Sequence, residues 1–419
     1  MELLPTQESE QQWTQAAQEP RLRTLPTRAV IHTFPDPYWT TNLNTAYAPE
    51  DEDLESFHLA GRSSFFAALA RLPELPNVQD IALCFTPECN GDGNASYASY
   101  PLGPEPRWLR ADVLRAFFSA AAAHRRTPGN APIRALTVRN LQNVAESVIT
   151  ASEDFVETMR DVTSLHLQIC TEHEPKNELA VDKPEMRTFW PSLRKEWLEP
   201  LAGQLEHLTL YWDNHWGMMP SIDLAGLHFP RLKSLSLGTF VFGKDEQLEW
   251  LLQHRTLEHL AFDSCTICFH WELYGSPWEE PFDRSGLTPK EVDPARLKES
   301  WVDSILTYDG TWSRYFDRIA TGLPRLKKFQ MGYTWAPWGG GFEGCDSRFE
   351  DREKIGAELH HCRYVAFTSE TAPGPFLDPN TPDGIFYGLN FETESPTKRI
   401  GDADQKSLNA LLRTVDARR

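Results

Sequence analysis

Apolar residues along this chain follow two alternating rhythms. In some stretches they occupy every second position, and in others they return every three or four. The first rhythm marks a strand with one buried face, the second an amphipathic helix. Val78 to Phe85, with Ile81 and Leu83 on one face, reads as a strand, as do Ile133 to Val138, Val162 to Ile169, Leu326 to Met331 and Tyr364 to Phe367. Helical spacing predicts helices over Arg62 to Leu72, Trp108 to His124, Glu146 to Met159, Trp190 to Leu201, Asp245 to Gln253 and Thr311 to Leu323. The second of these carries the stripe Leu109, Val113, Leu114, Phe117 and Phe118. Pro191 opens the fourth, because proline suits a first helical turn. A short helix over Lys406 to Val415 closes the chain.

The strand rhythm is clearest in three copies of one phrase, L-x-x-L-x-L. They are Leu205 to Leu210, Leu232 to Leu237 and Leu257 to Phe262, and their last apolar positions are 27 and 25 residues apart. A period in that range predicts a leucine-rich repeat. Extending the register gives final apolar positions 83, 138, 167, 210, 237, 262, 331 and 367, with uneven steps where the chain carries insertions. A strand and its helix cannot bury both apolar faces alone, so units stack side by side. The expected fold is therefore α/β, an irregular leucine-rich repeat solenoid or horseshoe, with a parallel sheet on the concave side and helices outside. Residues 1–28 read as a polar, partly disordered leader, 29–370 as the solenoid, and 371–419 as an irregular tail. Insertions fall at 86–107, 171–187 and 271–300.

Alternation along the strands assigns a candidate protein-binding face. His207, Thr209 and Tyr211 point away from the core, as do Ser236, His259, Asp263, His166, Gln168 and Gln330. Two aromatic segments leave strand ends and form a candidate rim: Tyr211-Trp212-Asp213-Asn214-His215-Trp216, and Tyr333 to Trp338 with Trp335 and Trp338. Aromatic anchors of this kind dominate protein interfaces. The 14 Trp of the chain lean the same way.

Charge narrows the partners. The net charge is -19, which repels phosphate backbones and argues against nucleic acid. The largest basic cluster is only Arg325, Lys327 and Lys328. No apolar run is long enough to cross a membrane, and residues 1–20 lack a signal-peptide core, so no membrane partner is expected. The 7 scattered Cys suit reduced thiols in the cytoplasm or nucleus.

Chemistry is sparse. Cys265-x-x-Cys268-x-His270 is the best metal candidate, with Cys345, His360, His361 and Cys362 as further ligands. Cys265 falls in the turn after a strand, where a packed thiol is the simpler reading, and no metal or cofactor is expected. No nucleophile elbow, Walker loop or dinucleotide fingerprint occurs. Gly339-Gly340-Gly341 precedes no helix, so it reads as a loop and not a phosphate cradle.

The stretches Phe229-Pro230-Arg231-Leu232-Lys233-Ser234-Leu235-Ser236-Leu237-Gly238 and Thr256-Leu257-Glu258-His259-Leu260-Ala261-Phe262-Asp263-Ser264-Cys265 resemble the C-terminal leucine-rich part of fungal F-box domain proteins. The resemblance is best over 205–270 and extends over 60–335. It implies a non-catalytic substrate receptor of a cullin ubiquitin ligase, with the ligase adaptor and cullin as partners. Leu25-Pro26 resembles the opening of an F-box, but Pro35 and Pro37 interrupt the segment after it, so the box is read as absent or degenerate. Two other readings stand beside this one: an enzyme whose site lies in the long insertions, and a decayed paralogue without a partner.

Overall fold

In a computed structural model of the protein, described over residues 1–35, 63–86, 89–90, 105–172, 184–275, 282–291, 302–333, 355–368, 376–377 and 396–419, nine parallel strands form one sheet in chain order. The first eight of them are β1 (Glu2–Leu3), β2 (Arg28–His32), β3 (Asp80–Cys84), β4 (Ala135–Gln142), β5 (Ser164–Cys170), β6 (His207–Trp212), β7 (Ser234–Gly238) and β8 (His259–Asp263). Two strands of another sheet follow, β9 (Thr266–Leu273) and β10 (Ser304–Thr307). Then β11 (Lys328–Gly332) completes the large sheet beside β8, and β12 (Tyr364–Thr368) joins β9.

The L-x-x-L-x-L phrase sets the register. Ala29, Ile81, Leu136, Leu165, Leu208, Leu235, Leu260 and Phe329 lie opposite one another in sequence across the sheet. Ile31, Leu83, Val138, Leu167, Leu210, Leu237, Phe262 and Met331 form a second such row. None of these residues is more than 4% exposed. Each fully buried Leu-sized side chain stabilises by about 1.5–3 kcal/mol, and a one-residue slip would turn a whole row to the wrong face.

Helices α1 (Gln7–Gln18), α2 (Ser63–Leu69), α3 (Arg107–Arg126), α4 (Glu153–Met159), α5 (Pro184–Ser192), α6 (Asp245–Leu252), α7 (Trp312–Gly322) and α8 (Pro396–Asp416) accompany the strands. Side chains from the helical regions share one core with the two rows: Trp13, Phe65, Phe117, Phe155, Trp190, Leu248, Trp312 and Leu411. Hydroxyl caps start several helices. Thr6, Ser152 and Thr311 accept from the backbone N–H of Ser9, Phe155 and Arg314, each at 3.2 Å.

The structure departs from the sequence expectations in four places. Residues 1–28 are no loose leader. They build β1 and α1, Trp13 is fully buried, and the Met1 amino group donates to Arg28 O at 2.8 Å. Leu25-Pro26 leads into β2, a strand of the sheet. The helix expected from Trp190 begins at Pro184 and holds Pro191 inside it; a π-helical turn, Leu193–Leu198, follows. Proline removes one N–H from the ladder, and a local change of helical pitch is one way to accommodate it.

Tyr364 to Phe367 is a strand, but not of the large sheet. It pairs with β9, whose start overlaps no predicted strand and whose eight residues are all buried. With β10 these form a second sheet over a separate core of Met218, Trp271, Phe282, Leu306 and Phe367. Finally, the short helix expected over Lys406 to Val415 is present but longer, as α8 from Pro396 to Asp416, in a tail otherwise expected to be irregular; α8 packs on α7, with Leu408, Leu411 and Val415 buried. Among the described residues, no helix is long and apolar enough to cross a membrane.

Candidate functional site

The strand residues that point away from the core form three polar rows. The row at the strand starts contains Ser164, His207, Ser234, His259 and Lys328, which lie opposite one another and are half-buried. Glu206 and Lys233, then Glu258 and Lys327, pair just before it at 2.7 and 2.8 Å. Burial holds the His207 imidazole below its ordinary pKa.

The next two rows are largely closed. Thr209, Ser236 and Gln330 are buried in the middle row, and Gln168, Tyr211 and Asp263 in the third. Only His166 is half-buried among the predicted residues of these rows, and its Nδ1 lies 2.9 Å from Thr209 Oγ1. His259 links two rows: Nδ1 is 3.3 Å from Ser234 Oγ and Nε2 is 2.5 Å from Gln330 Oε1. Gln330 Nε2 in turn donates to Ile355 O at 2.5 Å. The alternating positions therefore line up across the sheet, but most of them are covered.

The Tyr211 ring closes over Gly238, where a Cβ would penetrate it. Gly238→Ala is expected to cost about 1–3 kcal/mol through this overpacking. Urea unfolding should show a lower midpoint at unchanged slope; an unmoved midpoint would mean that the ring has room to shift.

The aromatic rim is not a rim over its described part. Trp212 and Trp216 are fully buried, and both pack on Trp190, at 5.3 Å edge-on and 4.4 Å stacked. Trp216 Nε1 donates to Gly238 O at 2.7 Å. Large apolar rings leaving a strand end were absorbed into the core, their larger payoff in buried area. Trp335 and Trp338 lie outside the described residues.

The metal candidates do not converge. Cys265 packs in the large core and Cys268 in the small one. Cys265 Sγ donates to Leu237 O at 3.2 Å, and Cys268 Sγ to His270 O at 3.3 Å. His360 Nε2 lies 3.0 Å from Cys265 O, while His270 Nε2 is 3.1 Å from Glu272 Oε1. Among the described residues no group of three or more His, Cys, Asp or Glu is placed to hold a metal ion. Cys345 lies outside them.

One polar constellation was missed. At the ends of β3, β4 and β5, Arg110 of α3 is 2% exposed and pairs with Glu105, Nε to Oε2 at 3.1 Å. Its other nitrogens donate to Asn140 O and Thr86 O, both at 2.6 Å, and to Cys170 Sγ at 3.1 Å. Cys170 Sγ is 3.5 Å from Cys89 Sγ. Nearby, Asp213 accepts from Thr171 N and Oγ1 at 2.7 Å each. Burial raises the Asp213 pKa to about 6 against those two bonds. The sequence does contain a signal for Arg110. It sits three, four and seven residues before Val113, Leu114 and Phe117, on the apolar stripe, where a charge requires a buried partner.

Beside this cluster, a groove between α3 and the π-helical turn is lined by Leu114, Phe118, Leu141, Leu193 and Trp197, with Arg107, Glu146 and Glu196 among its polar members. Arg107 is paired with Glu146 at 2.8 Å, and Glu196 accepts from Ser147 and Thr150 at 2.8 and 2.5 Å. The groove can take an apolar group; its polar members are engaged with one another. No protein-family model matches the chain, and neither a curated protein nor a solved structure matches it.

Proposed function

We propose that this protein is a leucine-rich repeat scaffold without chemistry of its own, which binds a protein through the open row of its sheet. The observation that carries this reading is a bonded side chain three residues after the final apolar position of β5, β6 and β8. The repeat consensus L-x-x-L-x-L-x-x-N/C puts a side chain there that ties one turn to the previous one. Here Cys170 donates to Asn140 O at 3.1 Å, Cys265 donates to Leu237 O at 3.2 Å, and Asp213 accepts from Thr171 N. Turns linked in this way hold the strands in step, which is the geometry of stacked repeats.

The contact surface follows from exposure. Among the described residues of β5 to β11, the row Ser164, His207, Ser234, His259 and Lys328 is the most open part of the polar face, together with His166. Side chains held on adjacent strands lose little freedom on binding, so such a row is pre-organised for a partner. The acidic net charge favours a protein partner over nucleic acid. The F-box resemblance makes the partner a ligase target; β1, α1 and β2 occupy the segment where an adaptor-binding box would begin.

The test is affinity capture from native extract with the full chain and with His207→Glu/Ser234→Glu/Lys328→Glu. These are half-exposed positions, so the circular dichroism spectrum should be unchanged. Partners recovered by the wild type and lost by the variant support the reading. Equal recovery by both would remove the row as the contact surface. Recovery of a cullin and its adaptor would extend the reading to a ligase receptor, and their absence alongside a specific target would leave a free-standing binding module.

A further inference from the structure

We propose that Cys89 and Cys170 form a dithiol redox site, able to close into an intramolecular disulfide that ties the segment after β3 to the end of β5. The two sulfurs are 3.5 Å apart although the residues are 81 positions apart in sequence. Both side chains are buried, so this proximity is held by the fold. The backbones are also joined, because Cys89 bridges in parallel to Glu172, two residues beyond Cys170. Cysteines whose backbones run this close can reach bonding geometry by small rotations about their side-chain torsions.

Arg110 holds the pair in place. Its Nη1 donates to Cys170 Sγ at 3.1 Å. Cys89 donates to Thr171 O at 3.2 Å; burial, then its contact with Cys170, holds its thiol well above the ordinary range, with Arg110 opposing. The exchange is therefore expected to start at Cys170 and to be slow at neutral pH.

The oxidant required is a low-molecular-weight disulfide. Cys170 loses its proton to solvent, its thiolate attacks one sulfur of the oxidant, and one small thiolate leaves. The deprotonated Cys89 then attacks Cys170 Sγ, the protein disulfide forms, and the second small thiolate leaves. Two protein thiols lose two protons and two electrons; the oxidant, taking both electrons, ends as two thiols. The bond closes a long loop, and such closures stabilise by restricting the unfolded chain.

The experiment uses the full chain, incubated with hydroxyethyl disulfide under native conditions and again in urea, then alkylated, digested and mapped by mass spectrometry. The expected native product is one linked pair of peptides containing Cys89 and Cys170, two hydrogens lighter than the separate peptides, with a thermal midpoint a few degrees higher. In urea the 7 cysteines should pair without preference. Reducing agent should reverse both the mass change and the thermal shift. Cys89→Ser should abolish the linked pair and leave a mixed disulfide on Cys170. Native-state recovery of both thiols alkylated, of a mixed disulfide on each, or of either one paired with another cysteine would overturn the proposal.

Discussion

Acidification from about pH 7 to about pH 5 is expected to remove roughly 6 kcal/mol of stability and unfold the protein. Four buried histidines drive this. Burial lowers the pKa of His32 to about 4, with Arg139 adding to the shift. Burial alone takes His215 to about 3. Burial takes His254 to about 4, with His228 adding to it and bonds to backbone carbonyls opposing. Burial takes His360 to about 3, helped by Arg363, His361 and His215 and opposed by its bond to Cys265 O.

In the unfolded chain each imidazole takes up a proton near pH 6.5, while in the fold it stays neutral until lower pH. The unfolded state therefore binds more protons between those values, and stability falls as pH falls. Each histidine contributes about 2 kcal/mol of this loss by pH 5. Asp213 acts the other way: its raised pKa gives the folded state the extra proton between about pH 6 and its unfolded value, which offsets about 1 kcal/mol. A loss of roughly 6 kcal/mol is comparable to the whole stability of many domains. Urea unfolding at half-unit pH steps measures the slope, and a flat profile down to pH 5 would sink the assignment of these histidines as neutral in the fold.

Arg110→Met is expected to cost about 3–5 kcal/mol. The cost comes from what remains. Glu105 is 7% exposed and would keep a buried charge without its counter-charge, held only by Thr33 Oγ1 and Thr86 N. The Asn140 and Thr86 carbonyls would each lose a charged donor, Asn140 O keeping only the Cys170 thiol among the bonds described. Methionine keeps much of the packing of the arginine stem, which separates the charge effect from a cavity. Arg110→Met/Glu105→Gln should recover part of the loss because no unpaired charge is left. A single variant within about 1 kcal/mol of the wild type in urea would mean that water reaches Glu105.

The rows Ala29 to Phe329 and Ile31 to Met331 show what was legible from the pattern alone. Seven of the eight final apolar positions taken from the sequence lie side by side in the second row, and only Phe367 went elsewhere. Insertions as long as the one before Leu326 did not disturb the register, because a loop's closure cost grows slowly with its length. The N-terminal unit was harder to see. Between Met1 and Pro20 only a few apolar residues, Leu3, Trp13 and Ala17 among them, mark a helix and strand, and a Gln-rich surface hides them. Strand β9 was lost although Ile267, Phe269, Trp271 and Leu273 do alternate, because its C-terminal part falls in the stretch read as the 271–300 insertion.

The alternation of single side chains determined the strands β3 to β8 and β11 and which face of each is apolar. It could do so because those choices depend on residues two, three or four positions apart. The tertiary structure decided the rest: that Tyr211, Gln168 and Asp263 are covered, that Trp212 and Trp216 fill a core, that a second sheet grows from β9, and that Arg110 meets Glu105 and two thiols. Burial of a polar face and the pairing of a buried charge depend on segments far away in the chain, and no local pattern encodes which distant segment will arrive there.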